Sequence, residues 1–254
     1  MLNLDFPLLL TTTGIFYFVM LSLLEIVLGI DNIIFISIIT DPLEKVQKRK
    51  ARNIGLTLAL VIRLILLSIV AWIIGLTEPF MSVNGWDITG QKLVLLLGGL
   101  FLIYKSTIEM HRNIVGMEEE HSKKAKQKLS GIILQIIMVD IVFSFDSIIT
   151  AIGMTNGIAK ETGGNPMIII YLAVIVSMIV MMVFAKSIGD FINNRPTIKM
   201  IALAFLVTIG VVLIAEAFDQ HVPKGYIYFA MVYALLVEML NLRMKKNQAK
   251  KGEN

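Results

Sequence analysis

Apolar residues along this chain gather into seven long blocks, 14–39, 54–76, 92–110, 131–154, 167–189, 198–218 and 225–242, set apart by short polar and charged stretches. A helix crosses a bilayer on roughly 20 mostly apolar residues, so the pattern predicts seven transmembrane helices. The sixth and seventh blocks are the shortest, and each ends near a glutamate, Glu216 and Glu238. Pro223-Lys224-Gly225 separates them, proline being suited to the first turn of a helix. Residues 111–130, with Glu118-Glu119-Glu120 followed by lysines, read as a solvated connection, and the basic tail 244–254 reads as disordered.

Composition agrees with this pattern. Of 254 residues, 56% are hydrophobic and 17% charged, against about 45–50% and about 25% in ordinary globular domains. That excludes a water-soluble enzyme and a disordered chain. The absence of cysteine excludes a disulfide framework, a thiolate metal site and cysteine catalysis. His111, His121 and His221 fall in loops with no ligand spacing.

A net charge of +4 would first suggest nucleic acid, but its distribution gives another reason. Lys45, Lys48, Arg49, Lys50 and Arg52 follow the first block; Arg112, Lys123, Lys124, Lys126 and Lys128 follow the third. Lys186, Arg195 and Lys199 flank the fifth-to-sixth connection, and Arg243, Lys245, Lys246, Lys250 and Lys251 fill the tail. The opposite connections hold only Lys92, Lys160 and Lys224. Cytoplasmic loops carry the excess of Lys and Arg, which predicts a multi-pass protein of the plasma (cell inner) membrane, N-terminus outside and C-terminus cytoplasmic. No nucleic-acid partner is needed. Residues 1–10 lack the basic residues of a cleavable signal peptide, so the first span is expected to be retained.

The first and fourth blocks share a motif. Glu25-Ile-Val-Leu-Gly-Ile-Asp31-Asn32-Ile-Ile34 aligns with Asp140-Ile-Val-Phe-Ser-Phe-Asp146-Ser147-Ile-Ile149, identical at five of ten positions. Lys92 and Glu109 repeat the spacing of Lys199 and Glu216. Three helices separate the paired spans, so they run in opposite directions. The expected fold is an all-α polytopic membrane protein with a 3+3 inverted repeat plus a C-terminal helix. One membrane domain covers 1–243 (repeat one 14–110, repeat two 131–218, seventh helix 225–242), followed by a basic cytoplasmic tail, 244–254. Secondary transporters built this way place their substrate near the midplane.

Four acids at that depth are expensive. Each costs roughly 2.5–3.5 kcal/mol at a helix centre on insertion scales, so Glu25, Asp31, Asp140 and Asp146 together call for a cation. Residues six apart lie about 9 Å along a helix and about 120° around it, so the two acids of one straight helix cannot share an ion. Gly29 and Ser144 sit between them, where local unwinding is least costly. Antiparallel crossing is expected to bring Glu25 level with Asp146 and Asp31 level with Asp140. With Asn32, Ser144, Ser147 and Thr150 these are hard oxygen donors, suited to Mn, Mg or Ca. Copper would want Met178, Met181 and Met182, which read better as core filler, and an oxyanion would be repelled.

Arg63, in the second block, reads either as charge compensation for these acids or as a structural ion pair. Lys105 and Glu109 are expected to pair locally, while Glu109 and Glu216 are also candidates for a vestibule. Gly98-Gly99 signals close helix packing.

The two acidic motifs, together with Pro223-Lys-Gly-Tyr-Ile-Tyr-Phe-Ala230, resemble those of the TerC family of integral membrane proteins over residues 14–243. The resemblance implies seven helices, a role in manganese export and metal homeostasis, and an association with tellurium resistance. Its intramembrane acids carry over to Glu25, Asp31, Asp140 and Asp146, with Asn32 beside Asp31. Larger relatives carry cytoplasmic regulatory domains, which this chain is not expected to share. The second motif has Ser147 where the first has Asn32, so the half-sites offer unequal ligands.

The expected function is export of a divalent cation, Mn²⁺ first, with protons as a counter-ion that carboxylates allow. The ion is substrate, with no permanently bound cofactor and no enzymatic activity. An accessory protein that loads metal onto exported metalloproteins, or assists the translocation machinery, is the alternative. An intramembrane aspartyl protease using Asp31 and Asp146 would show Gly-x-Gly-Asp, where this chain has Leu28-Gly29-Ile30-Asp31.

Overall fold

A computed structural model describes residues 5–69, 79–83, 86–115, 129–162 and 164–252; the side chains of several residues within these segments, Asp146 among them, lie outside the description. Helix α1 (Phe6–Leu9) is a single turn leading into α2 (Thr12–Leu28). Thr11 caps α2: its hydroxyl accepts from the Gly14 amide at 3.0 Å and donates to the Leu8 carbonyl at 2.7 Å. After Gly29 the chain continues as α3 (Ile30–Ile39), then α4 (Lys45–Ser68). Strands β1 (Pro79–Val83) and β2 (Trp86–Thr89) precede α5 (Gly90–Val115), α6 (Leu129–Thr162), α7 (Met167–Asn193), α8 (Pro196–Ala217) and α9 (Lys224–Gly252).

Among the described residues seven helices are long and apolar enough to cross a membrane, α2 with α3 counting as one. The predicted seven spans are all present, but several ends differ. The second begins near Val46, not at 54, so Lys48, Arg49, Lys50 and Arg52 ride on α4 rather than in a loop. Lys and Arg are good helix formers, and a count of apolar residues alone stops short of them. For the same reason the tail is not disordered after Leu242: Arg243 to Gly252 extend α9. Lys199, counted as a loop cation, is buried in α8, and His111 lies exposed on α5. The 70–76 end of the second block and the 116–128 connection, with His121, lie outside the described residues.

The stretch between the second and third blocks contains an unexpected antiparallel β1–β2 hairpin, with Val83 opposite Trp86. Its sequence signal is Asn84-Gly85 between the paired positions, the dipeptide preferred in two-residue hairpin loops.

The chain forms two compact units. The first comprises residues 1–94 and 126–190. Its centre is α3, buried at every position from Asp31 to Thr40, because a helix apolar all round is stable only when surrounded. Helix α6 packs against α4, α2 and α3. Small residues set these approaches: a β-carbon on Gly55 would lie 2.9 Å from Ile136 Cδ1, and one on Gly189 would lie 2.8 Å from Ser37 Oγ.

The second unit comprises 95–125 and 191–254. Here Gly99 of α5 and Gly210 of α8 meet backbone to backbone, each facing the other's carbonyl and the isoleucine four residues on, Ile214 or Ile103. This bears out the packing signal in Gly98-Gly99, since association in lipid depends on close approach of small residues. Helix α8 ends with Asp219 at φ 60, where the Gln220 amide donates to Ala215 and the Asp219 amide to Glu216, the Schellman pattern.

Candidate functional site

The break at Gly29 is where the sequence placed it, and it is shallow. Gly29 keeps right-handed angles (φ −82, ψ −8), its amide still donates to Glu25 O at 2.8 Å, and its carbonyl still accepts from Ile33 at 3.2 Å. Its counterpart Ser144 does not unwind: α6 runs unbroken through it. The Ser144 hydroxyl is occupied, donating to Asp140 Oδ2 at 3.2 Å and accepting from Arg63 Nε at 2.7 Å.

Arg63 organises the site. Its Nη1 donates to Glu25 Oε2 at 2.8 Å and its Nη2 to Asp140 Oδ1 at 3.2 Å, so α2, α4 and α6 converge on one guanidinium. Asn32 of α3 adds a hydrogen bond from Nδ2 to Asp140 Oδ1 at 2.9 Å. All five residues are at most 4% exposed. A planar fork with fixed donors suits this task where a lysine would act as a point charge. Two carboxyl groups thus face one guanidinium in the interior, where a charge needs its partners because desolvation is expensive.

Glu25, Asn32, Asp140 and Arg63 are therefore brought together. Glu25 shares Arg63 with Asp140, the two arms of the guanidinium spanning the gap between helices; the expected match of Glu25 with Asp146 falls on a side chain outside the described residues. Asp140 was expected level with Asp31; the contact seen is with the next residue, Asn32. Asp31 is buried in the first turn of α3. Ser147 is buried too, but its hydroxyl turns back to the Ser144 carbonyl at 3.3 Å. The Asp146 side chain lies outside the described residues. Among the described residues no three His, Cys, Asp or Glu side chains converge as a ready metal cage.

Ser22 Oγ, Glu25 Oε1 and Asn32 Oδ1 are buried in this unit with no hydrogen-bond partner among the described residues. With Gly29 they fall at successive three- or four-residue steps, hence along one face of the α2–α3 span. Ser22 was missed in the sequence reading; its only signal was its place three residues before Glu25. Met181 of α7 abuts Gly29 so closely that a β-carbon there would collide with its sulfur. Met178 and Met181 are 1% exposed, in keeping with core filling.

Glu109 and Glu216, considered for a vestibule, lie in the second unit beside cations of that unit. Glu109 Oε1 is 3.5 Å from Lys105, the predicted local pair, and 2.9 Å from Arg112. Glu216 is 3.7 Å from Lys224. Glu238 is buried and accepts from the Thr197 hydroxyl at 2.6 Å.

Comparison with known proteins agrees with the motif resemblance. The family described as "Integral membrane protein TerC family" matches residues 10–253. A "UPF0053 protein" of Haemophilus influenzae is 48% identical over 230 residues, covering 90% of this chain and 93% of that one. The "UPF0053 inner membrane protein YgdQ" of Escherichia coli K12 is 49% identical over 228 residues, 89% of this chain and 92% of its own. The "UPF0053 inner membrane protein YoaE" of the same strain is 39% identical over 89% of this chain but only 42% of its own length. No solved structure matches. With the match running over nearly its whole length, the chain belongs to the TerC family of integral membrane proteins.

Proposed function

We propose that this protein exports a divalent cation across the inner membrane, with Mn²⁺ as its first candidate substrate. The ion would pass over Glu25, Asp31, Asn32, Asp140, Asp146 and Ser147. The observation that carries the reading is that Glu25 and Asp140, from different helices, close around one positive charge in the interior. Helix-to-helix adhesion needs only amides and hydroxyls, whereas two carboxylates at this depth mark a cation pathway. The unclaimed oxygens of Ser22, Glu25 and Asn32 are hard donors of the kind Mn²⁺, Mg²⁺ and Ca²⁺ take. Location in the inner membrane is supported by the names of the two Escherichia coli relatives, and the N-outside, C-inside orientation by the distribution of Lys and Arg.

The 3+3 inverted repeat supplies the working principle: two related halves whose alternation exposes the acids to one side and then the other. Carboxylates protonated on one side and metal-bound on the other would couple the ion to protons. The test is Mn²⁺ flux in proteoliposomes, comparing wild type with Glu25→Gln, Asp31→Asn and Asp140→Asn, and with Mg²⁺ and Ca²⁺ as competitors. Flux abolished by these substitutions in folded protein supports export through this site. Absence of flux from folded wild-type protein would overturn it and leave a metal-loading accessory role.

A further inference from the structure

We infer that Arg63 is a tethered stand-in for the transported ion: it fills the Glu25–Asp140 seat between transport events and must withdraw before a divalent cation binds there. This rests on the export reading and adds the identity of the competitor at its site.

Three of the five guanidinium donors are used, each on a different acceptor: Ser144 at 2.7 Å, Glu25 at 2.8 Å and Asp140 at 3.2 Å. Asp140 Oδ1 has both lone-pair positions taken, accepting from Arg63 and Asn32, while Oδ2 accepts once, from Ser144. A divalent ion sits about 2.0–2.6 Å from its oxygen ligands, so it cannot take Glu25 Oε2 or Asp140 Oδ1 while the guanidinium holds them. Glu25 Oε1 and Asn32 Oδ1 have no such competitor among the described residues. The geometry therefore imposes an order. An entering ion meets an unengaged oxygen first, Glu25 Oε1 or Asn32 Oδ1, and gains Glu25 Oε2 and Asp140 Oδ1 only by displacing Arg63. When the ion leaves, Arg63 returns and the two carboxylates are not left facing each other uncompensated.

A purely structural ion pair predicts something different. Removing one partner of a buried pair destabilises the fold because the other charge is stranded, and metal binding would weaken with it. If Arg63 instead competes with the ion, removing it relieves like-charge repulsion, and binding tightens while release slows.

The experiment measures equilibrium binding of MnCl₂ to the purified full-length chain in detergent, thermal unfolding with and without MnCl₂, and Mn²⁺ flux in proteoliposomes. The variants are Arg63→Met, Arg63→Gln and Arg63→Lys. A neighbouring charge shifts the affinity of a carboxylate for a cation by about tenfold or more. Arg63→Met and Arg63→Gln should therefore bind Mn²⁺ at least about tenfold more tightly than wild type. Their flux should fall, and MnCl₂ should raise their unfolding temperature more than it raises that of wild type. Arg63→Lys, which keeps the charge, should stay near wild type in binding. If wild type binds Mn²⁺ but neither neutral variant binds more tightly, the stand-in role is overturned and export stands. If wild type binds no Mn²⁺, both readings fall. If neither neutral variant folds even when prepared in MnCl₂, the metal cannot replace the guanidinium and the inference is overturned.

Discussion

Replacing Gly99 with alanine tests the backbone-to-backbone crossing of α5 and α8. The new β-carbon would stand 2.6 Å from the Gly210 carbonyl oxygen, 2.8 Å from Ile214 Cγ1 and 3.2 Å from the Ile214 amide nitrogen. Ordinary contact begins at 3.4 Å, and two of these three obstacles are backbone, which cannot turn aside. The helices must part by most of an ångström. Overpacking of this kind costs about 1–3 kcal/mol, and the gap forfeits a quarter to a half of the dispersion attraction along the crossing. A loss near the upper end, about 3 kcal/mol, is therefore expected. Gly153→Ala is the control: nothing lies within 4 Å of its β-carbon, so helix propensity alone should add about 0.5–1 kcal/mol. The assay is thermal unfolding of the purified chain in one detergent at one scan rate. Gly99→Ala should unfold well below wild type and Gly153→Ala at or above it. Gly210→Ala should resemble Gly99→Ala, and the double variant should lose less than their sum, because the first alanine has already separated the helices. Equal unfolding temperatures for Gly99→Ala and Gly153→Ala would refute the reasoning.

Ser22→Ala removes a buried hydroxyl with no hydrogen-bond partner among the described residues, so thermal stability should hold or rise while Mn²⁺ flux falls; unchanged flux would remove Ser22 from the path. Gly29→Ala drives a β-carbon into the Met181 sulfur and within 3.0 Å of the Glu25 carbonyl, at about 1–3 kcal/mol. Adding Met181→Ala should recover part of that loss, and a double variant no more stable than Gly29→Ala would place the strain elsewhere. Thr197→Val breaks the 2.6 Å hydrogen bond to buried Glu238, which should lower stability by about 1–3 kcal/mol; chemical denaturation showing no change would indicate that Glu238 finds another donor.

The spans were legible because hydrocarbon thickness imposes a length on any helix that crosses it. Their ends were not, because Lys48 to Arg52 and Arg243 to Gly252 are polar residues that favour helix and carry no hydropathy signal. The hairpin was overlooked for a related reason: a membrane reading of 77–91 stops at "loop" and does not ask what Asn84-Gly85 prefers. The site was legible in its residue types, since intramembrane charge is expensive enough to stand out singly. Its connectivity was not. Arg63 stood out as charge compensation for the acids, but nothing in the sequence said that its guanidinium would join Glu25 to Asp140 in particular. Gly29 and Ser144 looked equivalent as weak points, but a serine hydroxyl held between Asp140 and Arg63 keeps its helix intact, whereas a glycine has nothing to hold.

On the export reading proposed above, that difference has a consequence for the direction in which the protein rests. In the sequence repeat Gly29 and Ser144 correspond, yet Gly29 faces the uncharged Met181 and Ser144 faces the permanent charge of Arg63. Two interchangeable halves would hold the inward-open and outward-open forms at equal energy, and an empty carrier would divide its time evenly between them. A single fixed charge on one half removes that degeneracy. It could not drive an ion uphill, since it would be restored unchanged in every cycle, but under that reading it would give the empty carrier a side on which to wait. Under the same reading, the ion concentration in that compartment would set the pace of the cycle.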